Sequence, residues 1–443
     1  MTLLIHLLLG IGVNQILARE TVNLNLIKNE KNEIKLAFGS CYGIFDRKSD
    51  IFKTITENDP ALWIWLGDAA YTDNVRLAGG TKFFLNILVL KDNSMPTNYA
   101  QHRFEMTIED KYYQKLLQKT PVVGVWDDHD YGCNNGDKTF KNKRQMRDIF
   151  LDFIGEPNNT QRRLEIDTGI YQDYVYFDNE ENIKIHLILV DIRYDFDEKT
   201  QDRFGEEQLA WLDRILGENK DSNLTLIGMG VQALVDRYFF TEAINWKSKE
   251  MLFDLIRKHQ KSGVFVLSGD VHFAQFYHTN CKSLTGYDVQ ELTSSGMTHH
   301  VNSFFKIGHH VLNYVTPLFW NVYVNYNFGL LKTRKIGDDL EFTIQVKTLD
   351  DQIALEKVLM INRDMKYDEE NNRYQGMCKA IHSKSRIGIQ FHHYLYMFIV
   401  KRHWLMYLLI MSIFGVKSLL LAGVIRLIRK TSGLCRQSKV KVN

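Results

Sequence analysis

The chain is 443 residues long, enough for a full-sized hydrophobic core in one large domain or two smaller ones. Its 55 Lys and Arg balance 53 Asp and Glu, and 12% of residues are aromatic, which excludes a disordered chain and offers no basic stripe for nucleic acid. Five cysteines are too few for a disulfide scaffold.

The first segment, MTLLIHLLLGIGVNQILA, is an apolar run that places the small Ala18 where a signal peptidase cuts, so residues 1–18 read as a signal peptide. No Lys or Arg precedes the run, which leaves an uncleaved anchor or a buried helix as alternatives. From there on one pattern recurs, a short apolar run stopping at a polar cluster. IKLAFGSC stops at Ser40 and Cys41, ALWIWLGDAAY at Asp68 and Tyr71, and PVVGVWDDHD at Asp127 to Asp130. IKIHLILVDIRY stops at Asp191 and Arg193, LTLIGMGVQ at Gln232, and GVFVLSGDVHF at Asp270 and His272. Runs of this length, rich in Ile, Val, Phe and Trp, predict strands buried on both faces. Helical patterns lie between them, at Gly205 to Asn219 and Ser248 to Gln260. The alternation predicts a mixed α/β layered fold with helices covering the sheets. NFGLLK and LEFTIQVKTLD alternate as an antiparallel pair that would finish a sheet.

In such folds ligand sites gather at the carboxyl ends of strands, so the polar clusters are expected to converge. The collected set is Cys41, Asp68, Tyr71, Asp128, His129, Asp270 and His272, with Asn134 nearby. These are metal-ligand types, and so many acids share one pocket only if cations neutralise them. A thiolate beside hard oxygens suggests more than one metal. Two cations about 3.5–4 Å apart would bind a phosphoryl group, hold a hydroxide for in-line attack and stabilise the leaving oxygen. His129 would then serve as proton donor. Asp127 and Arg193 are candidate substrate contacts, with a structural Asp191–Arg193 ion pair as the alternative. Cys41 as a small buried hydrophobe and Tyr71 as a core aromatic are the bland readings. Arg162 and Arg163 read as surface charges, and the paired His299, His300, His309 and His310 as solvated. Cys133 and Cys281 are candidates for a disulfide in an oxidising lumen.

Residues 365–403 begin polar and read as a stalk, and Trp404 to Ile425 is apolar all round and long enough for a bilayer core, which needs about 20 residues. Lys417 is the one charge inside it. Arg426, Arg429, Lys430, Arg436, Lys439 and Lys441 make residues 426–443 a basic cytosolic tail, although Lys401 and Arg402 blunt the asymmetry. The expectation is a single-pass type I protein whose body, residues 19–364, faces the lumen or the outside. Sequons at Asn158 and Asn223 fit that side. The final KVKVN resembles a dilysine retrieval signal, which points to the endoplasmic reticulum and endomembranes, with the cell surface as the alternative.

The motifs FGSC, WLGDAAYTDN, VWDDHDYG, LVDIRY, GEEQLAWL, LSGDVHFAQF and ELTSSGMTHH, in that order, resemble the PhoD-like (alkaline phosphatase D) branch of the calcineurin-like metallophosphatases over roughly Lys35 to Leu359. The resemblance implies a four-layer α-β-β-α sandwich and hydrolysis of phosphate mono- or diesters. It also implies an iron site with a cysteine ligand, accompanied by calcium or by zinc, manganese or magnesium. Cys41 stands where the wider superfamily has a histidine ligand, and Asp68 matches the aspartate that bridges the metals. Tyr71 matches a tyrosine ligand, and Asp128-His129 matches the pair of ligand and proton donor. Asp270 and His272 match the late histidine element. Two departures stand out: the middle histidine has no counterpart in IGMGVQ, and fewer than twenty residues separate the signal from FGSC. The leading expectation is a membrane-anchored, metal-dependent phosphoesterase, with a membrane-borne phosphate ester as one candidate substrate. The alternative is a catalytically inactive scaffold of the same fold.

Overall fold

The computed structural model describes residues 19–44, 50–73, 95–235, 242–279, 281–300 and 322–372. The expected signal peptide, most of the stalk, the span at 404–425 and the basic tail lie outside the described residues, as do His309 and His310. Among the described residues no helix is long and apolar enough to cross a membrane.

Each apolar run forms the expected strand. β1 (Val22–Asn23) is short; β2 (Ile34–Gly39), β3 (Leu62–Leu66) and β4 (Val122–Val125) follow, then β5 (Gln172–Asp178), β6 (Ile183–Leu189) and β7 (Leu224–Met229). β8 (Val264–Ser268), β9 (Ala274–His278), β10 (Gln290–Ser294), β11 (Val322–Tyr323), β12 (Asn327–Ile336), β13 (Asp339–Thr348) and β14 (Ile353–Met360) complete them. They make two mixed sheets, one of eight strands in the order β1-β5-β6-β7-β8-β10-β9-β11 and one of six in the order β14-β13-β12-β2-β3-β4.

Burial explains the composition. All five residues of LWIWL in β3 and all five of VFVLS in β8 are buried, because both sheet faces are covered. β2, β3 and β4 run parallel with Phe38 opposite Ile64 and Ile64 opposite Val123. In the larger sheet β6, β7, β8 and β10 run parallel, with Leu187 opposite Leu226 and Leu226 opposite Phe265. β12 and β13 form the antiparallel pair that NFGLLK and LEFTIQVKTLD predict, and β14 extends it to a three-stranded meander. The sheets pack on each other, Phe265 of β8 meeting Phe342 of β13 edge-on at 5.2 Å.

Aromatic side chains dock helices on the smaller sheet. Trp65 lies 5.8 Å from Tyr113 and donates Nε1–H to its hydroxyl at 2.9 Å. Phe52 meets Trp63 at 5.9 Å, and Phe104 meets Phe153 at 4.8 Å. Against the predicted helices at 205–219 and 248–260, the structure has helices at Gly205–Glu218 and Trp246–Lys258.

Several expectations need correction. The body does not stop at 364: Met365 is fully buried, its carbonyl accepts from Gly263 N–H, and Tyr367 N–H bonds Ser262. Cys281 is disulfide-bonded but Cys133 retains its thiol, so these two are not partners. Arg162 is not a surface charge. It is buried, donates to Ile170 O at 3.0 Å and pairs with Glu156, while Arg163 pairs with an exposed Asp152. Removing one partner of a buried pair strands the other, at about 3–5 kcal/mol. Arg162→Ala should therefore lower unfolding stability by that amount in urea titration, whereas Asp152→Ala, which removes the exposed carboxylate of the Arg163 pair, should stay within about 1 kcal/mol.

Candidate active site

The strand ends that carry polar clusters converge as the parallel topology requires. β2 delivers Ser40 and Cys41, β3 delivers Asp68 and Tyr71, and β4 delivers Asp127 to Asp130. From the other sheet, β8 delivers Asp270 and His272, and β10 leads to Ser295 and His299. Four of these residues hold left-handed backbone: Cys41 at φ 62°, Asp68 at 52°, Asp270 at 70° and His272 at 60°. Such a conformation costs a residue with a Cβ about 1–2 kcal/mol, and clustered outliers of this kind mark functional sites.

Asp68 is the centre. Its Oδ2 lies 3.3 Å from Cys41 Sγ and 3.5 Å from the Tyr71 hydroxyl, while its buried Oδ1 has no partner among the described residues. Two donor groups form around it, Cys41–Asp68–His272 and Asp68–Asp128–His129, each with its donor atoms within 4.8 Å of one another. The three acids of WDDHD have three separate tasks. Asp127 accepts from Arg193 Nε at 2.6 Å, and Asp130 accepts from the backbone N–H of Ala70 and Asp127. Asp128 accepts from the N–H of His129 and of Asn135 and faces the cluster. His129 has its Nδ1 2.7 Å from Asp73 Oδ1 and its ring 4.3 Å from that of Tyr71.

Electrostatics mark the same place. Burial pushes the Asp68 carboxyl well above the usual range, Asp128 and Asp127 add to it, and His129 opposes them. Burial also raises Asp270 strongly, and it lifts Asp127 and Asp130 to about 7 against the pull of Arg193 and of backbone N–H groups respectively. The Cys41 thiol and the Tyr71 hydroxyl go well up, first through burial and then through neighbouring negative charge. Burial lowers His272 well below the ordinary value. For His129 burial works against the charged form, yet Asp73, Asp128 and Asp68 outweigh it and hold the pKa well up. Acids this crowded stay ionised only beside cations. The orphaned Asp68 Oδ1 and the mixed sulfur, nitrogen and oxygen donors fit a pair of metals.

Not every candidate joins the cluster. Asn134 is exposed, and Asn135 is the residue whose backbone reaches Asp128. Arg193 is fully buried with its guanidinium divided between Asp127 and Glu242, so it holds Asp127 in place and does not reach outward to substrate. Asp191 accepts from the N–H of Ile170, Arg193 and Tyr194, so it shapes a turn and forms no ion pair with Arg193. Gln232 is buried and donates to Thr293. Three residues that sequence reasoning passed over belong here, Asp73, Glu242 and Ser295 (3.1 Å from Cys41 Sγ), and so does His299 (2.6 Å from the Tyr71 hydroxyl). His299 was read as solvated, although the strand-end pattern ending at Ser294 points to it.

Residues 36–152 match the family described as PhoD-like phosphatase. Among solved structures, one described as the structure of PhoD is similar over 83% of this chain and 80% of that one, at 14% identity and a TM-score of 0.54, which is a likeness of fold. A Staphylococcus aureus protein described as a 5'-nucleotidase, in complex with alpha-ketoglutarate, covers 79% of this chain and 58% of that one at 10% identity and a TM-score of 0.35, too low to carry an argument. No curated protein matches the chain.

Gly67, at φ +86°, lets Asp68 take its position: a Cβ there would lie 2.4 Å from Asp127 Cβ. Gly67→Ala combines the left-handed cost of about 1–2 kcal/mol with overpacking of about 1–3. Urea unfolding at unchanged slope should read their sum, about 2–5 kcal/mol. Gly155→Ala, at φ +71° with nothing within 4 Å, should show only the first part.

Proposed function

We propose that the chain is a metal-dependent phosphoesterase of the PhoD-like branch whose helices and sheets stack as a four-layer sandwich; the matched segment at residues 36–152 and the likeness of fold support this reading. The observation that carries this reading is Asp68, shared by two donor groups and left with an unpaired buried oxygen. When bound, two cations there would polarise the phosphoryl oxygens, ease ionisation of an attacking water and neutralise charge on the leaving oxygen. The protein's part is positioning and proton transfer. Cys41, Tyr71 and His272 hold the softer side and Asp128 with Asp270 the oxygen-rich side, which favours iron with a second divalent cation such as calcium. Asp73 fixes His129 through Nδ1, leaving Nε2–H to protonate the departing alkoxide. A decayed scaffold of the same fold would be expected to have lost some of these groups, and here the acids and His129 remain together.

His129→Asn should keep bound metal while kcat falls about 10²–10⁴-fold on substrates with poor alcohol leaving groups, and less on aryl phosphates. Asp68→Asn should lose metal along with activity. Elemental analysis beside kcat on both leaving-group types checks the pair. Loss of metal from His129→Asn would make His129 a ligand, and absence of any transition metal from the wild type would sink the reading.

The same proposal places the body on the lumenal or extracellular side of one C-terminal span, on sequence grounds. Asn158 is exposed, whereas Asn223 is half-buried, its Oδ1 accepting from Lys184 N–H, with Thr225 fully buried. A glycosidase-sensitive mass shift should therefore vanish in Asn158→Gln and persist in Asn223→Gln. A shift in neither, in protein from a glycosylating host, would count against the lumenal assignment.

A further inference from the structure

β10 ends at Ser294, and the chain beyond it carries Ser295, Thr298 and His299 across to the end of β2. Thr298 fixes this crossing. Its Oγ1 lies 2.7 Å from Gly43 N, 3.1 Å from Cys41 O and 3.0 Å from His299 Nδ1. Gly43 N–H can only donate and Cys41 O can only accept, so the single hydroxyl proton is committed to Cys41 O. Nδ1 of His299 must then be the donor to Oγ1. In its neutral form the imidazole then carries its proton on Nδ1 and a lone pair on Nε2, which is how a second contact prepares a histidine to bind a metal.

That lone pair faces two other donors. His299 Nε2 is 2.6 Å from the Tyr71 hydroxyl and 3.1 Å from His272 Nε2, and Tyr71 and His272 are 3.2 Å apart. With both rings neutral, the triangle has three edges but at most two protons, one on Tyr71 and one on His272. One edge is therefore left without a hydrogen bond. Asp68 Oδ2 adjoins the triangle 3.5 Å from Tyr71 and leads on to Cys41 Sγ at 3.3 Å. Donors about 2.0–2.3 Å from one ion lie roughly 2.8–3.8 Å from each other at right to tetrahedral angles, a range that holds these spacings apart from the shorter Tyr71–His299 edge.

We propose that His299 is a ligand of the metal held by Cys41, Asp68, Tyr71 and His272, a role that rests on the metallophosphoesterase reading. A cation there would take the place of the Tyr71 proton, released to solvent, and would be met by Nε2 of both rings, His272 then carrying its own proton on Nδ1. The donor set becomes one thiolate, one phenolate, two imidazoles and the shared carboxylate, a set selective for a transition metal. The neighbouring Asp128 side keeps its oxygen donors for a harder cation.

The test strips wild type, His299→Ala and His300→Ala of metal with chelator and titrates each with Co²⁺, following the visible spectrum and the bound stoichiometry. His300 is the control, because it packs on Tyr326 and lies next in the same segment. His299→Ala should bind Co²⁺ at least about 10-fold more weakly at the thiolate-bearing site, with a changed ligand-field spectrum, while His300→Ala matches wild type. Unchanged affinity and spectrum in His299→Ala, or an equal loss in His300→Ala, overturns the assignment. Melting of the metal-free forms checks the fold, and His299→Gln serves if the alanine variant does not fold. A wild type that takes up no metal removes the phosphoesterase reading itself, and this inference with it.

Discussion

The candidate site depends on one buried ion pair that crosses between the two sheets. Cys41, Asp68, Tyr71, Asp128 and His129 hang from strands of the six-stranded sheet, whereas Asp270, His272 and His299 hang from the eight-stranded one. The Cys41–Asp68–His272 group needs both sheets, whereas Asp68, Asp128 and His129 all hang from the six-stranded one. Arg193, just past β6, reaches Asp127, just past β4, at 2.6 Å, with both side chains wholly shielded from solvent. Glu242 takes the other two guanidinium nitrogens of Arg193 and also pairs with Arg203. A buried pair of this kind adds little net stability against apolar replacement, but a relative shift of the sheets would strand its charges. The network therefore acts as a register pin, and Asp127, adjacent to Asp128, carries that register straight into the site.

Charge is the second constraint. Asp127, Asp128 and Asp130 lie close enough to raise the carboxyl of Asp68, and Asp127 and Asp128 that of Asp270. The fold answers each separately: Arg193 neutralises Asp127, and two backbone N–H groups solvate Asp130. His129 opposes the charge at Asp68 and Arg193 that at Asp270, yet both carboxyls stay well raised, and a bound metal would supply further counter-charge. A metal bound by these acids would couple to folding, since whatever binds only the folded arrangement stabilises it.

Legibility in the sequence followed one rule. A parallel sheet forces apolar runs to end on the same side, so WLGD, VWDDHD and LSGDVH declared both their strands and their shared destination. Residues whose role depends on a partner far along the chain were hidden. Arg162 looks like any basic residue until Glu156 and the carbonyl of Ile170 enclose it. Arg193 looked available to substrate because nothing near it announces Glu242. Asn134 looked like a ligand by adjacency, yet the αL turn at Gly132 ends the short helix Asp128–Tyr131 and leaves Asn134 exposed. His299 shows the limit most plainly: the run QELTS ends like the others, but a doublet of histidines at its end looked like a wet loop.

The left-handed residues tie stability to chemistry. Four positions at about 1–2 kcal/mol each sum to roughly 4–8 kcal/mol, comparable with the whole net stability of an ordinary domain. Aspartate and histidine tolerate this conformation better than most, which explains three of the four, but cysteine has no such excuse. Cys41 keeps it because its neighbours allow no alternative: Tyr42 N–H is bonded to Asp68 O, Cys41 O to Thr298, and the thiol sits between Asp68, Ser295 and the Asp270 carbonyl. Every one of those partners lies at the end of another strand or in the segment leading from it. The strain at Cys41 is thus held by the convergence of β3, β8 and β10, and the same convergence gives the thiol its orientation toward Asp68. A sequence that relaxed the backbone at this position would have to loosen three strand ends together, and the donor set would come apart with them.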